Sequence, residues 1–320
     1  MRGVLSQRAF EGDKVLPLCS IDDLELSNTL KDAADTILRF EKSRSIIYGS
    51  WGNDPLSSST PSGQDLLRNS QQKACIVTLA GPVGSGKRTF MKALAFDLGR
   101  TIKLVHLAEL LTENTAETIN SIQLLIQDAR LADAIVVIDG FEHIFADGVD
   151  GGGSTNKLQL ILSRLLSVTH SLTHTHSLTH SLTHSLALTQ VLHAFPGCVI
   201  LICHMDAPQN ITLQRDFAAQ LFCFLRFVIP PHDTRSKLWA RLLPPRAPLA
   251  KDINFAELGR RFELNAGSIR AAIARACAEA AMRDSKDSIS VSQKDLMLAG
   301  DLEVAKFRHG NFEVISKLFN

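Results

Sequence analysis

Three observations predict an α/β fold with a parallel sheet, followed by a small all-α domain. Across about the first 230 of the 320 residues, short apolar runs (75–80, 102–105, 134–138, 199–203 and 224–229) alternate with amphipathic stretches. Continuous β-branched runs of this kind belong to strands buried on both faces by crossover helices. Beyond about residue 230 only helical periods remain, so the chain changes architecture there. The third observation is local. The run Cys75–Ala80 leads into Gly81-Pro82-Val83-Gly84-Ser85-Gly86-Lys87, and an amphipathic stretch follows to Leu98. Strand, glycine-rich loop and helix in that order form the context of a phosphate-binding loop.

The chemistry of that loop follows from its residues. Gly81, Gly84 and Gly86 open backbone conformations in which successive N–H groups turn toward an anion, and the helix start adds further donors and partial positive charge. Lys87 supplies a full charge for the terminal phosphates. The rule G-x-x-x-x-G-K-[ST] fails only at its last position, where Arg88 replaces the magnesium-binding hydroxyl. Thr89 comes one residue late, about 100° around the helix, so it does not substitute directly. Residues Gly81 to Thr89 are therefore the candidate phosphate site, with Arg88 placed to bring a guanidinium beside the β- and γ-phosphates.

Before the loop, Ile21–Phe40 fits a helix, with Leu24, Leu30, Ala33, Ile37 and Leu38 at helical intervals. Ile46–Gly52 is apolar and aromatic, and its Tyr48 and Trp51 read as packing residues. Asn53–Gln72, rich in Ser, Pro, Gly and Asn, reads as a mobile linker. After the loop helix come a short strand at Ile102–Val105, the segment Leu107–Leu111 and a helix at Glu117–Ala129. The run Ala134–Ile138 ends in Asp139, an acid at the carboxyl end of a parallel strand, where open α/β sheets bind ligands. Downstream of a phosphate loop, that acid is the expected magnesium-holding Walker B residue.

A glycine-rich loop (Gly148–Thr155) and an amphipathic helix (Lys157–Val168) lead into Thr169–Leu188, a Ser-Leu-Thr-His repeat holding five of the eleven histidines. Spacing of four would put His176, His180 and His184 near one helical face, a conceivable metal ladder. The regularity reads instead as an expanded simple repeat that lengthens a surface connection. Strands at Val199–Cys203 and Phe224–Ile229 follow, then helices opening at the Asn254-x-x-Glu257 capping box, at Ser268–Met282 and at Ser292–Lys306.

Bulk properties narrow the class. Hydrophobic residues make up 45% of the chain and the net charge is +1, which gives no electrostatic case for nucleic acid or an anionic membrane. Six cysteines without C-x-x-C spacing imply a reducing compartment, with neither disulfides nor zinc. With no run of transmembrane length and no signal-like N-terminus, the expectation is a soluble intracellular protein, cytoplasmic by preference.

Taken in order, these segments resemble the AAA+ ATPases, in particular AAA-type cores with a helical lid. The likeness runs from about Ile46 to Lys306, the histidine repeat excepted. Trp51-Gly52 stands where such cores often begin, Val199–Pro208 is similar to the sensor 1 strand, Pro231–Trp239 to the opening of the lid, and Asn265–Arg270 to the sensor 2 motif. The resemblance implies an N-terminal helical segment (1–45), a P-loop NTPase core (46–229) carrying the low-complexity insertion 169–188, and an α-helical lid (230–320). It also implies ATP and Mg2+ as cofactors, with Asp139 as the metal acid. Arg270 is then the lid arginine reaching the phosphates, and the partners are ATP/ADP together with protein partners or an AAA+ homo- or hetero-oligomer.

Several family positions are altered. Gly140 replaces the glutamate that polarises water, with Glu142 as the nearby substitute. Asp206 matches the sensor 1 asparagine, Leu221 and Phe222 stand at the arginine-finger positions with Arg226 as a weak replacement, and Asn114 holds the place of the pore aromatic. A finger alone is worth about 10³–10⁵ in rate, whereas binding needs chiefly the loop, Lys87 and the helix end. The sequence thus implies an ATP-binding module that couples nucleotide binding to conformational change or partner remodelling. The alternative is a non-hydrolysing pseudo-ATPase serving as a structural or regulatory subunit.

Overall fold

The computed structural model describes residues 14–15, 19–51, 74–110, 115–141, 197–204, 221–283 and 290–309. The linker 53–72, the loop at 148–155, the helix expected at 157–168, the histidine repeat, Asn114, Glu142 and Asp206 lie outside them. The chain forms two compact units. One comprises residues 1–23, 28–81 and 87–226; the other comprises 24–27, 82–86 and 227–320.

The first unit is built on a six-stranded sheet: β1 (Lys14–Val15), β2 (Cys75–Gly81), β3 (Ile102–His106), β4 (Ile135–Asp139), β5 (Cys198–His204) and β6 (Cys223–Arg226), in the order β1-β3-β4-β5-β2-β6. Five strands run parallel and only β1 pairs antiparallel, on β3. All seven residues of β2 and all five of β4 are buried, as continuous apolar runs require of central parallel strands. Ile76, Val136, Ile138, Val199 and Leu201 pack with Ile122, Leu125 and Ala129 into one core. The last three come from the helix Thr115–Leu131, while Phe90, Met91 and Leu94 of the phosphate-loop helix Lys87–Leu98 are buried as well.

Two expectations are corrected in this unit. The helix expected at Ile21–Phe40 is a single 3-10 turn, Ile21–Asp23, and then a helix over Asn28–Ser45 that ends in a wider turn, Ile46–Ser50. The first turn is held by Asp97, whose carboxylate accepts from the Ile21 N–H at 2.9 Å. The strand expected at 224–229 stops at Arg226. Among the described residues its sole strand neighbour is β2, paired from Val77↔Cys223 to Ala80↔Arg226, and β2 ends one residue later at Gly81. An edge strand without a partner has no ladder to continue.

In the second unit, helices His232–Leu242, Phe255–Arg261, Ala266–Ala281 and Gln293–His309 enclose a separate core of Trp239, Leu258, Phe262, Ile269, Ile273 and Leu296. The Trp239 and Phe262 rings lie 6.1 Å apart at a tilt. Asn254 caps its helix as the sequence predicts, accepting from the Glu257 N–H at 3.2 Å. Arg235 is buried, yet it donates to the carbonyls of Gly259 at 2.9 Å and Pro230 at 2.6 Å, which satisfies a cation that burial would otherwise penalise.

Candidate nucleotide site

The end of β2 follows the phosphate-loop expectation. Gly81, Gly84 and Gly86 all have positive φ (152°, 82° and 99°), conformations that other residues adopt only at a cost, so the glycines shape the loop. Lys87 opens the following helix, is 3% exposed, and donates to the Gly81 carbonyl at 2.6 Å. Its ammonium is thereby turned back over the start of the loop. Thr89 is exposed in the first turn of that helix.

Residues 82–86 belong to the helical unit, where their backbone meets the helix Ala266–Ala281. The Gly267 N–H donates to the Gly84 carbonyl at 2.8 Å, and Asn265 Nδ2 donates to the Val83 carbonyl at 3.0 Å. The same Asn265 caps the helix through Oδ1, which accepts from the Ser268 N–H at 2.9 Å. One buried amide therefore orders both a helix start and the loop tip. A Cβ on Gly267 would stand 2.7 Å from Gly84 Cα, so that approach requires glycine. The sensor-2-like segment thus meets the loop through Asn265 and Gly267, while Arg270 is exposed. The sequence offers Asn265 and Gly267 only as part of that segment, and the role at the phosphates is expected of Arg270.

At the end of β4 the sequence offers Asp139 as the metal acid, and the structure surrounds it. Its carboxylate is 2% exposed. Oδ2 accepts from Arg88 and faces His106 Nδ1 at 3.5 Å; Oδ1 meets His204 Nε2 at 2.6 Å and accepts from the Gly140 N–H at 3.0 Å. Sheet register produces this cluster. His106 is the β3 partner of Asp139, and on β5 the partner is Ile202, two residues before His204. Alternate residues of a strand share a face, so the three ends converge. The signal available in the sequence was that the apolar runs of β3 and β5, like that of β4, each end on a titratable residue. Burial works against a charged Asp139, but the hydrogen bond from Arg88 and the charge and hydrogen bond of His204 outweigh it. The carboxyl titrates below its ordinary 3.8.

This donor set does not fit a magnesium shell. Magnesium asks for near-octahedral oxygen ligands at about 2.0–2.1 Å. Here the hydroxyl position is a guanidinium, and both oxygens of the acid already face nitrogen donors. Like unit charges about 4 Å apart repel by roughly 4 kcal/mol at an effective dielectric of about 20, and a dication beside Arg88 would face about twice that.

Residues 77–212 match the family model described as ATPase family associated with various cellular activities (AAA). The chain carries an AAA-family domain. Among solved structures, the FIGL-1 AAA domain is similar at 16% identity, with 93% of this chain and 89% of that chain covered and a TM-score of 0.61. A structure reported as the structural basis for katanin self-assembly is similar at 16% identity, 88% and 84% coverage and a TM-score of 0.54. At that identity the likeness establishes the fold, a P-loop NTPase sheet with flanking helices. No match was found among curated proteins. Among the described residues no helix is long and apolar enough to cross a membrane.

Phe222 and Arg226, among the positions expected for arginine fingers, make aromatic contacts. Phe222 stacks on Phe40 with ring centroids 4.6 Å apart, and Arg226 lies 5.7 Å over the Phe224 ring. Tyr48 meets Phe40 edge-on at 6.5 Å, whereas Trp51 is exposed. Among the described residues one further group has the makings of a metal site, Glu41, Cys75 and Cys198, with ligand atoms within 4.8 Å of one another. Glu41 already accepts from Arg44 and from Arg100, the latter at 2.7 Å. The hydrogen bond with Cys198, together with burial, pushes the Cys75 thiol far up, and metals bind thiolates. The group is a satisfied piece of the core, and its cysteines are free.

Proposed function

We propose that the chain is an ATP-binding AAA+ module that couples nucleotide occupancy to conformational change or to remodelling of protein partners. The observation that carries this reading is the loop Gly81–Lys87, with three positive-φ glycines and a buried lysine turned over its start. Successive loop N–H groups, a helix start and one ammonium suffice to hold a triphosphate tail. The likeness to a structure concerned with katanin self-assembly supports protein partners of its own kind, as a homo- or hetero-oligomer. Titrating the full chain with ATP and ADP tests the reading: it requires heat and a rise in melting temperature, and a folded sample showing neither rejects it.

A second reading, a non-hydrolysing structural or regulatory subunit, is favoured by the end of β4. Arg88 engages the acid that would serve the metal, and Gly140 follows it where the family resemblance implies a water-polarising glutamate. Phosphate release discriminates the two. Background rates in the unmodified chain support the second reading, and sustained turnover rejects it.

A further inference from the structure

We infer that this site binds its nucleotide as the free anion, with the Arg88 guanidinium in the place of a divalent cation. The inference rests on the ATP-binding reading above and adds which form of nucleotide the site takes. Arg88 immediately follows Lys87, at the residue where a P-loop provides its metal-binding hydroxyl. Its Nη2 is anchored on Asp139 Oδ2, the acid expected to serve the same ion. One side chain therefore removes one metal ligand and occupies the other.

The remaining geometry supports a positive role for the cation. The Asp139 carboxylate is 2% exposed and the Arg88 side chain 52% exposed, so the pair is rooted in the sheet while the guanidinium reaches toward solvent. Guanidinium carries five N–H donors in a fixed fork that matches phosphate oxygens, and it is Nη2 that donates to Asp139 Oδ2. Magnesium in such a site links an acid to the phosphates; an arginine held by that acid through one nitrogen offers the same link by hydrogen bonds. Thr89, the nearest hydroxyl, is exposed and one residue further around the helix.

Calorimetry of the full chain with ATP and with ADP, in excess EDTA and in excess magnesium, tests this. For the unmodified chain the two affinities should agree to within about threefold, whereas Arg88→Thr, which restores the hydroxyl, should lose about tenfold or more in EDTA and recover in magnesium. Binding of the unmodified chain only in magnesium overturns the inference and leaves the ATP-binding reading standing. Equal binding in both buffers by Arg88→Thr also overturns it, because Arg88 would then not be the substitute. A folded unmodified chain that binds under neither condition overturns both.

Discussion

The end of β2 keeps to the phosphate-site expectation, and the end of β4 departs from it. At the end of β2 the parts that the proposed phosphate site needs are present: the glycine conformations, the lysine and the helix start. At the end of β4 the acid is in place but committed, surrounded by Arg88, His106, His204 and the Gly140 N–H. Both strands are fully buried, so neither end is loosely built. The difference teaches that holding a triphosphate and splitting it draw on separable residues. Binding draws on backbone N–H groups and one ammonium, which no single side-chain change in β4 removes. Cleavage needs a positioned water and a free acid, and on the second reading proposed above Arg88 and Gly140 are the residues that withhold them.

The sharpest way to break this comparison is at β2. Lys87→Ala removes a charged donor to the terminal phosphates; charge-assisted hydrogen bonds are worth about 1.5–3 kcal/mol, so affinity for a fluorescent ATP analogue should fall at least about 10–100-fold. Because Lys87 is buried, a melting curve of the free protein must accompany the titration. Unchanged affinity in a folded variant would remove the loop from the site altogether.

A repair at β4 sharpens the other half. Gly140→Glu supplies the acid that the family resemblance implies, yet Arg88 still occupies Asp139, and Gly140 sits at φ 79°, where a side chain is strained by about 1–2 kcal/mol. Phosphate release by Gly140→Glu alone should stay at background. Combining it with Arg88→Thr in magnesium is the arrangement in which turnover could appear. Turnover in the single variant would mean that Arg88 does not block the acid.

Much of this is legible in the sequence alone, for reasons that differ by element. The loop and its flanks are local: seven consecutive residues between an apolar run and an amphipathic one carry their own context. Asp139 was legible because a buried run ending in an acid is informative by itself. His106 and His204 were not, because they reach Asp139 only through the strand order β3-β4-β5 and its register, which one sequence does not encode visibly. Expectation instead fell on Asp206, outside the described residues, while the strand brings His204 to the acid. Asn265 and Gly267 were hidden for a similar reason. Their partners, Val83 and Gly84, are about 180 residues away in the chain and are met through backbone carbonyls, so no side-chain pattern announces them. The end of β6 was misjudged because its length is set by the neighbouring strand rather than by its own apolar run.

A smaller effect probes how the loop is supported. Gly→Ala in a helix normally gains up to about 1 kcal/mol. At Gly267 the new Cβ would lie 2.7 Å from Gly84 Cα and 3.1 Å from the Gly84 carbonyl oxygen, both backbone atoms that cannot swing aside. The sign should therefore reverse, to a loss of about 1–3 kcal/mol of the kind overpacking produces, with weaker ATP binding because the loop tip must shift. A raised melting temperature for Gly267→Ala would show that the approach is slack and that the loop at the end of β2 is shaped by its own glycines alone.

The smallest effect lies away from both strand ends and sets a baseline for reading the others. Ser292 and Asp295 cap the helix Gln293–His309 reciprocally: Asp295 Oδ2 accepts from the Ser292 N–H at 2.8 Å and from its hydroxyl at 2.7 Å, and Arg283 pairs with the same carboxylate. Burial works against the Asp295 charge, but the Ser292 hydrogen bonds and the Arg283 charge overcome it and leave the pKa below its ordinary 3.8. A carboxyl depressed on folding contributes stability that is complete above its unfolded pKa and fades as pH falls through the folded one. Asp295→Asn should therefore cost about 1 kcal/mol near neutral pH, the size of a lost cap. Its melting temperature should converge on that of the parent as the pH drops below about 4, with ATP affinity at neutral pH unchanged. If that variant weakened nucleotide binding as Lys87→Ala does, losses of affinity would be reporting general destabilisation, and the contrast between the two strand ends would lose its meaning.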